Sequence, residues 1–364
     1  MEIWRIIIKL PLIIANLALA YAVGRFASNQ FSLKTGTTVF FVVLTWSFFI
    51  FIGAAWGQIN TLSALLTFLA FSAMINQQTT KSGILLGIAV TLKISPLVVF
   101  PAFFAYVLRK RDRKEAGKFT LWVFAVPVLF TTMILTAFQW NMVYFLKTIF
   151  YWTPVFQSNA PQIQGGLMNV WSFTSLLRAD VSSLWYLRLV WVPILLVGFL
   201  YWLRKSRWEK WDLNLSIITF YLLFMISYAW VPEQSFVDPL PFLFLQVIAY
   251  TRKKSQLYFL AAIQILVYAF SAVNYGGYVF QPLLESFSPS ALTQLQILIP
   301  TPGSLAMEIR GILGLTVSLS LVTLLVILIR TSSGRTEEPR AGLIPNPNLM
   351  NENAKIAREA EPTF

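Results

Sequence analysis

The chain contains no cysteine and no histidine. Without cysteine there is no disulfide, no thiol nucleophile and no thiolate metal site. Without histidine the commonest general base, the commonest metal ligand and every Ser-His-Asp arrangement disappear. Chemistry must therefore rest on carboxylates, Lys, Arg, Tyr, amides or the backbone. Charge is also scarce: 12% of the 364 residues are Asp, Glu, Lys or Arg, against about 25% in an ordinary soluble domain. Nor is there a Gly-rich phosphate loop or an internal repeat. A chain this poor in charge is not a disordered protein, a disulfide-stapled secreted domain or a soluble nucleic-acid binder.

What fills the space is apolar. Hydrophobic residues make up 57% of the chain and mean hydropathy is +0.67. Several apolar runs are each long enough to cross a bilayer, and one soluble core could not hide them all. The sequence predicts an all-α, polytopic transmembrane bundle. About nine spans are expected, near 6–24, 38–54, 60–75, 119–139, 188–203, 215–230, 236–250, 257–273 and 309–329. The net charge of +13 is read as an orientation signal carried by loops, not as a nucleic-acid surface.

The stretch 83–108 differs from the others. As one straight helix it would run about 39 Å at about 1.5 Å per residue, yet Lys93 sits in its middle and Pro96 follows. Proline disfavours helical geometry in the residue before it and removes a ladder hydrogen bond. Two half-helices meeting at Lys93-Ile94-Ser95-Pro96 fit better than one rod. Basic clusters lie at Arg109–Lys118, Arg204–Lys210, Arg252–Lys254 and from Arg330 onward, and short Lys/Arg-rich loops stay cytoplasmic. The weaker loops at Arg25–Lys34 and Lys81 join that side only if 83–108 is a re-entrant hairpin; as a single span it would place them outside. The hairpin reading puts the N-terminus outside and the C-terminus in the cytoplasm. Residues 1–330 then form the membrane domain, with large outer loops at 140–187 and 274–308. The first of these is crowded with Trp, Tyr and Phe, which favour the headgroup layer. The proline-bearing segment 331–364 is expected to be a disordered cytoplasmic tail.

Few residues outside the basic loops can carry chemistry. Glu233 lies in Trp230-Val231-Pro232-Glu233-Gln234-Ser235, a short outer turn between two spans, and places a carboxylate beside the amide of Gln234. A solvated turn acid is the plainer alternative. Asp238 reads as plain loop or cap. Lys93, at a helix break, is suited to hold a phosphate together with free N–H groups of the following helix; the alternative is a lysine paired to a carbonyl or an acid. Gln58 and Asn60 offer amides at the membrane edge, though Asn60 also reads as an N-cap. Asn169, in Gly165-Gly166-Leu167-Met168-Asn169-Val170-Trp171-Ser172, is a cap or a ligand contact. Arg178 could meet an anionic headgroup or ordinary lipid phosphate.

Taken together, KLPLIIANL (9–17), WGQIN (56–60), SGILLGIAVTLKISPLVVFPAFF (82–104), GGLMNVWS (165–172) and WVPEQSFVDPLPFL (230–243) resemble the GT-C superfamily of integral-membrane glycosyltransferases. The similarity covers about residues 6–250. It is strongest to the branch that uses polyprenyl- or dolichyl-phosphate-mannose. The resemblance implies a polyprenyl-phosphate sugar donor, a lipid or glycan acceptor, and transfer with inversion at the outer face of the plasma membrane, expected to be prokaryotic. It implies an acid that takes the acceptor proton and a basic residue that stabilises the departing phosphate. In the family that acid lies in a loop between a first helix and the KLP-type helix. This sequence begins at the latter, and Asn16 stands where an aspartate is common. The family base therefore falls on no residue here, and a truncated chain or a lost base is expected. Glu233 is taken as the candidate catalytic residue, Lys93 and Arg178 as donor-phosphate contacts, and Gln58, Asn60, Asn169 and Gln234 as substrate contacts. No cofactor and no metal site is read from the sequence, and use of a divalent ion stays open. Two rival readings remain: a non-catalytic lipid- or partner-binding protein on the same scaffold, and a transporter.

Overall fold

The computed structural model describes residues 2–55, 58–144, 170–172, 189–205, 208–228, 233–275 and 305–333. The described residues are helical, with no strand among them. The helices are α1 (Glu2–Gln30), α2 (Leu33–Thr45), α3 (Asn60–Ile75), α4 (Thr79–Leu92), α5 (Phe100–Lys110), α6 (Arg113–Ala137), α7 (Trp191–Arg204), α8 (Lys210–Ser227), α9 (Leu240–Phe244), α10 (Lys254–Tyr275) and α11 (Leu305–Ser333). Among the described residues, four segments are long and apolar enough to cross a membrane: Lys9–Gln30, Arg113–Ala137, Lys254–Val273 and Leu305–Ser332. Six further apolar helices are shorter. The expected loops 140–187 and 274–308 and the tail 331–364 fall largely outside the described residues.

Two of the expected spans are interrupted. The run 38–54 breaks at Trp46, which is extended (φ −65°, ψ 114°) between α2 and a turn at Ser47–Phe49 that leads into π-helix Ile50–Ala55. The break frees the Ser47 hydroxyl to meet Gln264 Nε2 (2.7 Å) and Tyr268 Oη (3.2 Å) from α10. The run 236–250 divides into a 3-10 turn at Glu233–Val237, α9, and π-helix Leu245–Thr251. Pro239 and Pro241 lack the N–H that an uninterrupted helix needs, which accounts for the division.

The run 83–108 folds back on itself. Helix α4 ends at Lys93, which is extended (φ −155°, ψ 134°), and a 3-10 turn at Ser95–Val99 leads into α5. Both halves rest on the same stretch of α6. Gly83 and Gly87 of α4 lie against the backbone of Phe119, Trp122 and Val123. Phe100 and Phe103 of α5 stack on the Phe119 ring at 5.9 and 5.7 Å. Two glycines four residues apart let the α4 and α6 backbones meet closely, as small residues do where lipid removes any hydrophobic drive between helices.

This reversal gathers the basic segments at one end. Phe31, from the loop after α1, packs on Trp211 at 4.9 Å and lies under the Arg252 guanidinium. Tyr106 meets Trp208, and Arg109 Nε donates to the Leu203 carbonyl (2.9 Å). Gln256 donates to Thr331 (3.3 Å). Between the two ends the core is aromatic: Phe26, Phe68, Phe71 and Phe242 pack with ring centres 5.2–5.8 Å apart. One polar chain crosses it. Asn214 Nδ2 donates to Gln246 Oε1 (2.9 Å) and Gln246 Nε2 to Ser332 (2.9 Å), tying α8 and α11 to the π-helix.

Candidate functional site

At the end opposite the basic segments, three short stretches far apart in sequence meet. They are the start of α3, the hairpin tip at 93–99, and the segment 233–238. Each is placed by its own chain geometry. Helices α3 and α4 are joined by a tight turn at 76–78, so the start of α3 and the end of α4 lie at the same level. Proline at 96 stops the helix and turns the tip. The segment 233–238 precedes the two prolines that limit α9.

Asp238 is the centre of the arrangement. It is buried, and its Oδ2 accepts from Lys93 Nζ (3.2 Å) and from Ser95 Oγ (2.8 Å). Its Oδ1 is buried with no hydrogen-bond partner. Lys93 keeps 21% of its side chain exposed. Its ammonium has three donors, and the ion pair occupies one. A carboxylate that neutralises this lysine from the protein side fixes the position of its ammonium.

A second tie joins the other two stretches. Asn60 Nδ2 donates to the Gln234 carbonyl (2.7 Å), so the start of α3 and the 233–238 segment are fastened across 174 residues of sequence. The Gln234 Oε1 is buried and unpartnered, as are Thr61 Oγ1 and Ser63 Oγ on α3. Gln58 is half-buried in the turn before α3, and its N–H donates to the Ile52 carbonyl (3.1 Å). The Trp171 indole, from the GGLMNVWS segment, donates to the Ser227 carbonyl at the end of α8 (2.8 Å).

The residues singled out from sequence fare differently. Gln58, Asn60, Lys93 and Gln234 come together at this end. Glu233 opens the 3-10 turn beside them. Asn169 and Arg178 lie outside the described residues. Two expectations are corrected. Asp238 is not a plain loop or cap residue: it is the buried partner of Lys93. Asn60 does not cap α3: Ile59 occupies the cap position without a side-chain bond, and the Asn60 amide is spent on Gln234. The pairing of Lys93 with an acid was the alternative left open for it. The sequence reading gave Asp238 and Ser95 no role at the site, although a signal existed. A carboxylate at the threshold of an apolar run needs a cationic partner, and Lys93 in the middle of another apolar run is such a cation.

An apolar groove adjoins the cluster. About 670 Å³ in volume, it runs from Ile94 and Ser95 at the tip down past Phe100 and Phe104 of α5 to Trp191 and Phe199 of α7. Ser95 belongs to both groove and cluster. Because Ser95 Oγ and Lys93 Nζ bond the same carboxylate oxygen, no more than 6.0 Å separates them.

No curated protein matches the chain. The sequence profile of glycosyltransferase family 87 matches residues 7–227, a region that contains most of α1, all of α2 to α8, the whole hairpin, Lys93 and Ser95. A membrane-embedded helical chain with that match over more than half its length belongs to glycosyltransferase family 87.

Proposed function

We propose that the chain transfers a sugar, mannose in our reading, from a polyprenyl-phosphate donor to a lipid or glycan acceptor. Family membership supports glycosyl transfer itself. The donor class rests on one observation: a lysine-bearing polar cluster stands at the mouth of an apolar groove. A phosphate joined to an isoprenoid asks for that pairing of cation and groove, whereas a nucleotide sugar has no use for the apolar half. The reaction would lie on the outer face of a prokaryotic plasma membrane, on nine spans plus the hairpin, with the basic end and the C-terminus in the cytoplasm.

The roles follow from chemistry. The acceptor oxygen attacks the anomeric carbon as the bond from that carbon to the phosphate oxygen breaks. The phosphate leaves with the electron pair, and Lys93 meets its charge, aided by Arg178. Glu233 takes the acceptor proton, a task within reach of a carboxylate in a protein without histidine. Gln58, Asn60, Asn169 and Gln234 hold sugar and headgroup hydroxyls. Asp238 keeps Lys93 aimed at the groove mouth.

The test is donor selection by the purified full chain in detergent. Polyprenyl-phosphate-mannose is expected to be consumed with transfer to acceptor lipid, and a nucleotide sugar left untouched. The Glu233→Gln variant is expected to lose at least about a hundredfold in rate. Transfer from the nucleotide sugar, or an undiminished Glu233→Gln rate, contradicts the assignment.

A further inference from the structure

The basic end holds a second cavity that glycosyl transfer at the opposite end does not use. It is a crevice of about 930 Å³ between α7, α8 and α11. Its inner wall is apolar, formed by Leu215 and Ile329, and Val197 of its outer wall is 67% exposed. Toward the basic end the lining changes to Trp202, Trp211 and Arg204.

Among the described residues, Trp202 Nε1 and Arg204 in this upper part lack hydrogen-bond partners. Trp202 is 1% exposed, yet its Nε1–H has no acceptor. A buried donor left without an acceptor costs about 1–3 kcal/mol, and Trp202 lines the crevice. Its ring is fixed by Trp208 at 5.4 Å and by the Lys205 ammonium over its face at 5.4 Å. The second group is Arg204, exposed at the end of α7 and free of hydrogen bonds and ion pairs. The acids in the lining are already committed. Asp212 bonds Lys205 Nζ (2.5 Å) and the Glu209 N–H (2.7 Å), while the Glu209 side chain caps α8. Glu209 keeps its charge, so the two cations and two acids of the lining balance; among the described residues Arg204 is the charged side chain of the lining left without a hydrogen bond or ion pair.

We propose that this crevice binds one anionic glycerophospholipid. Its phosphate would lie on Arg204, its ester or headgroup oxygen would accept from Trp202 Nε1, and its acyl chains would descend along Val197, Leu215 and Ile329. Position agrees with the chemistry. The crevice opens at the end that collects the basic loops, and such loops face the anionic leaflet. A free phosphate ion would satisfy the guanidinium but leave the apolar walls bare, and a zwitterionic lipid would bring a choline cation toward Arg204.

The experiment is native mass spectrometry of the delipidated full chain titrated with phosphatidylglycerol or phosphatidylcholine. The expected result is a first phosphatidylglycerol bound about tenfold more tightly than phosphatidylcholine, the scale of one charge-assisted hydrogen bond. Arg204→Gln, an exposed change that the fold tolerates, is expected to abolish that preference. Trp202→Phe is expected to weaken binding several-fold, and Lys253→Gln, exposed at the same end, to leave it unchanged. Equal binding of the two lipids, an unaltered preference in Arg204→Gln, or displacement of the lipid by inorganic phosphate at matching concentration overturns the proposal. None of these readouts involves sugar transfer, so failure here and failure of the glycosyltransferase reading are distinguishable.

Discussion

The pair Lys93–Asp238 is where stability and chemistry meet in one contact. Asp238 has 2% of its side chain exposed against 21% for Lys93, so the two partners are not equivalent. Removing the lysine strands a carboxylate in a place without water, and breaking a buried pair in this way costs about 3–5 kcal/mol. Removing both charges at once leaves only a shape change. The expected order of thermal stability in detergent is therefore wild type, then Lys93→Met/Asp238→Asn, then Lys93→Met alone. A single variant as stable as the double would show that Asp238 is not buried with its charge. The lysine was legible in the sequence because an ammonium in an apolar run is conspicuous. Its partner was not, because Asp238 sits in Val237-Asp238-Pro239, a setting that also describes any turn. Only the fold, by bringing residues 145 positions apart to 3.2 Å, separates the two meanings.

Elements were read well where hydropathy and proline acted alone. The 60–75 span coincides with α3, and the break at Lys93–Pro96 lies where the sequence placed it. The break at Trp46 was missed because nothing local forces it; hydrogen bonds from α10 to Ser47 hold it open. The hairpin depends on the close approach of α4 to α6. A Cβ at Gly83 would lie 2.9 Å from the Phe119 carbonyl oxygen, and one at Gly87 would lie 2.9 Å from that of Trp122. Those neighbours are backbone and cannot step aside. Gly83→Ala and Gly87→Ala are each expected to lower the thermal midpoint. Gly117, on the same helix α6, has nothing within 4 Å of its would-be Cβ. Gly117→Ala is expected to raise stability by about 0.4–1 kcal/mol through reduced backbone entropy in the unfolded chain. Equal effects at the three positions, measured in one unfolding series, would contradict the packing described for the hairpin.

For the whole molecule, the reversal at 93–99 sorts charge. It brings Arg25–Lys34, Arg109–Lys118, Arg204, Lys205 and Arg252–Lys254 to one end and leaves the polar cluster at the other. Loop charge favours the hairpin over a single span by a thin margin; the shared packing of α4 and α5 on α6 shows the two halves folded back together. The absence of cysteine makes the sidedness directly measurable. In sealed cells, Gln58→Cys and Ile94→Cys are expected to react with an impermeant maleimide, and Lys110→Cys and Lys253→Cys only after the membrane is opened. Reaction of all four in sealed cells, or the reverse pattern, would place the proposed chemistry on the wrong face.

The central claim is that Lys93 receives the departing lipid phosphate during sugar transfer. Its most direct test is the transfer rate from polyprenyl-phosphate-mannose by purified Lys93→Met/Asp238→Asn, the variant that removes the cation without stranding the buried acid. Loss of one preorganised contact to developing charge costs about a hundredfold to a thousandfold in rate, and a drop of that size is predicted with the fold intact. A double variant that transfers sugar at the wild-type rate would contradict the account.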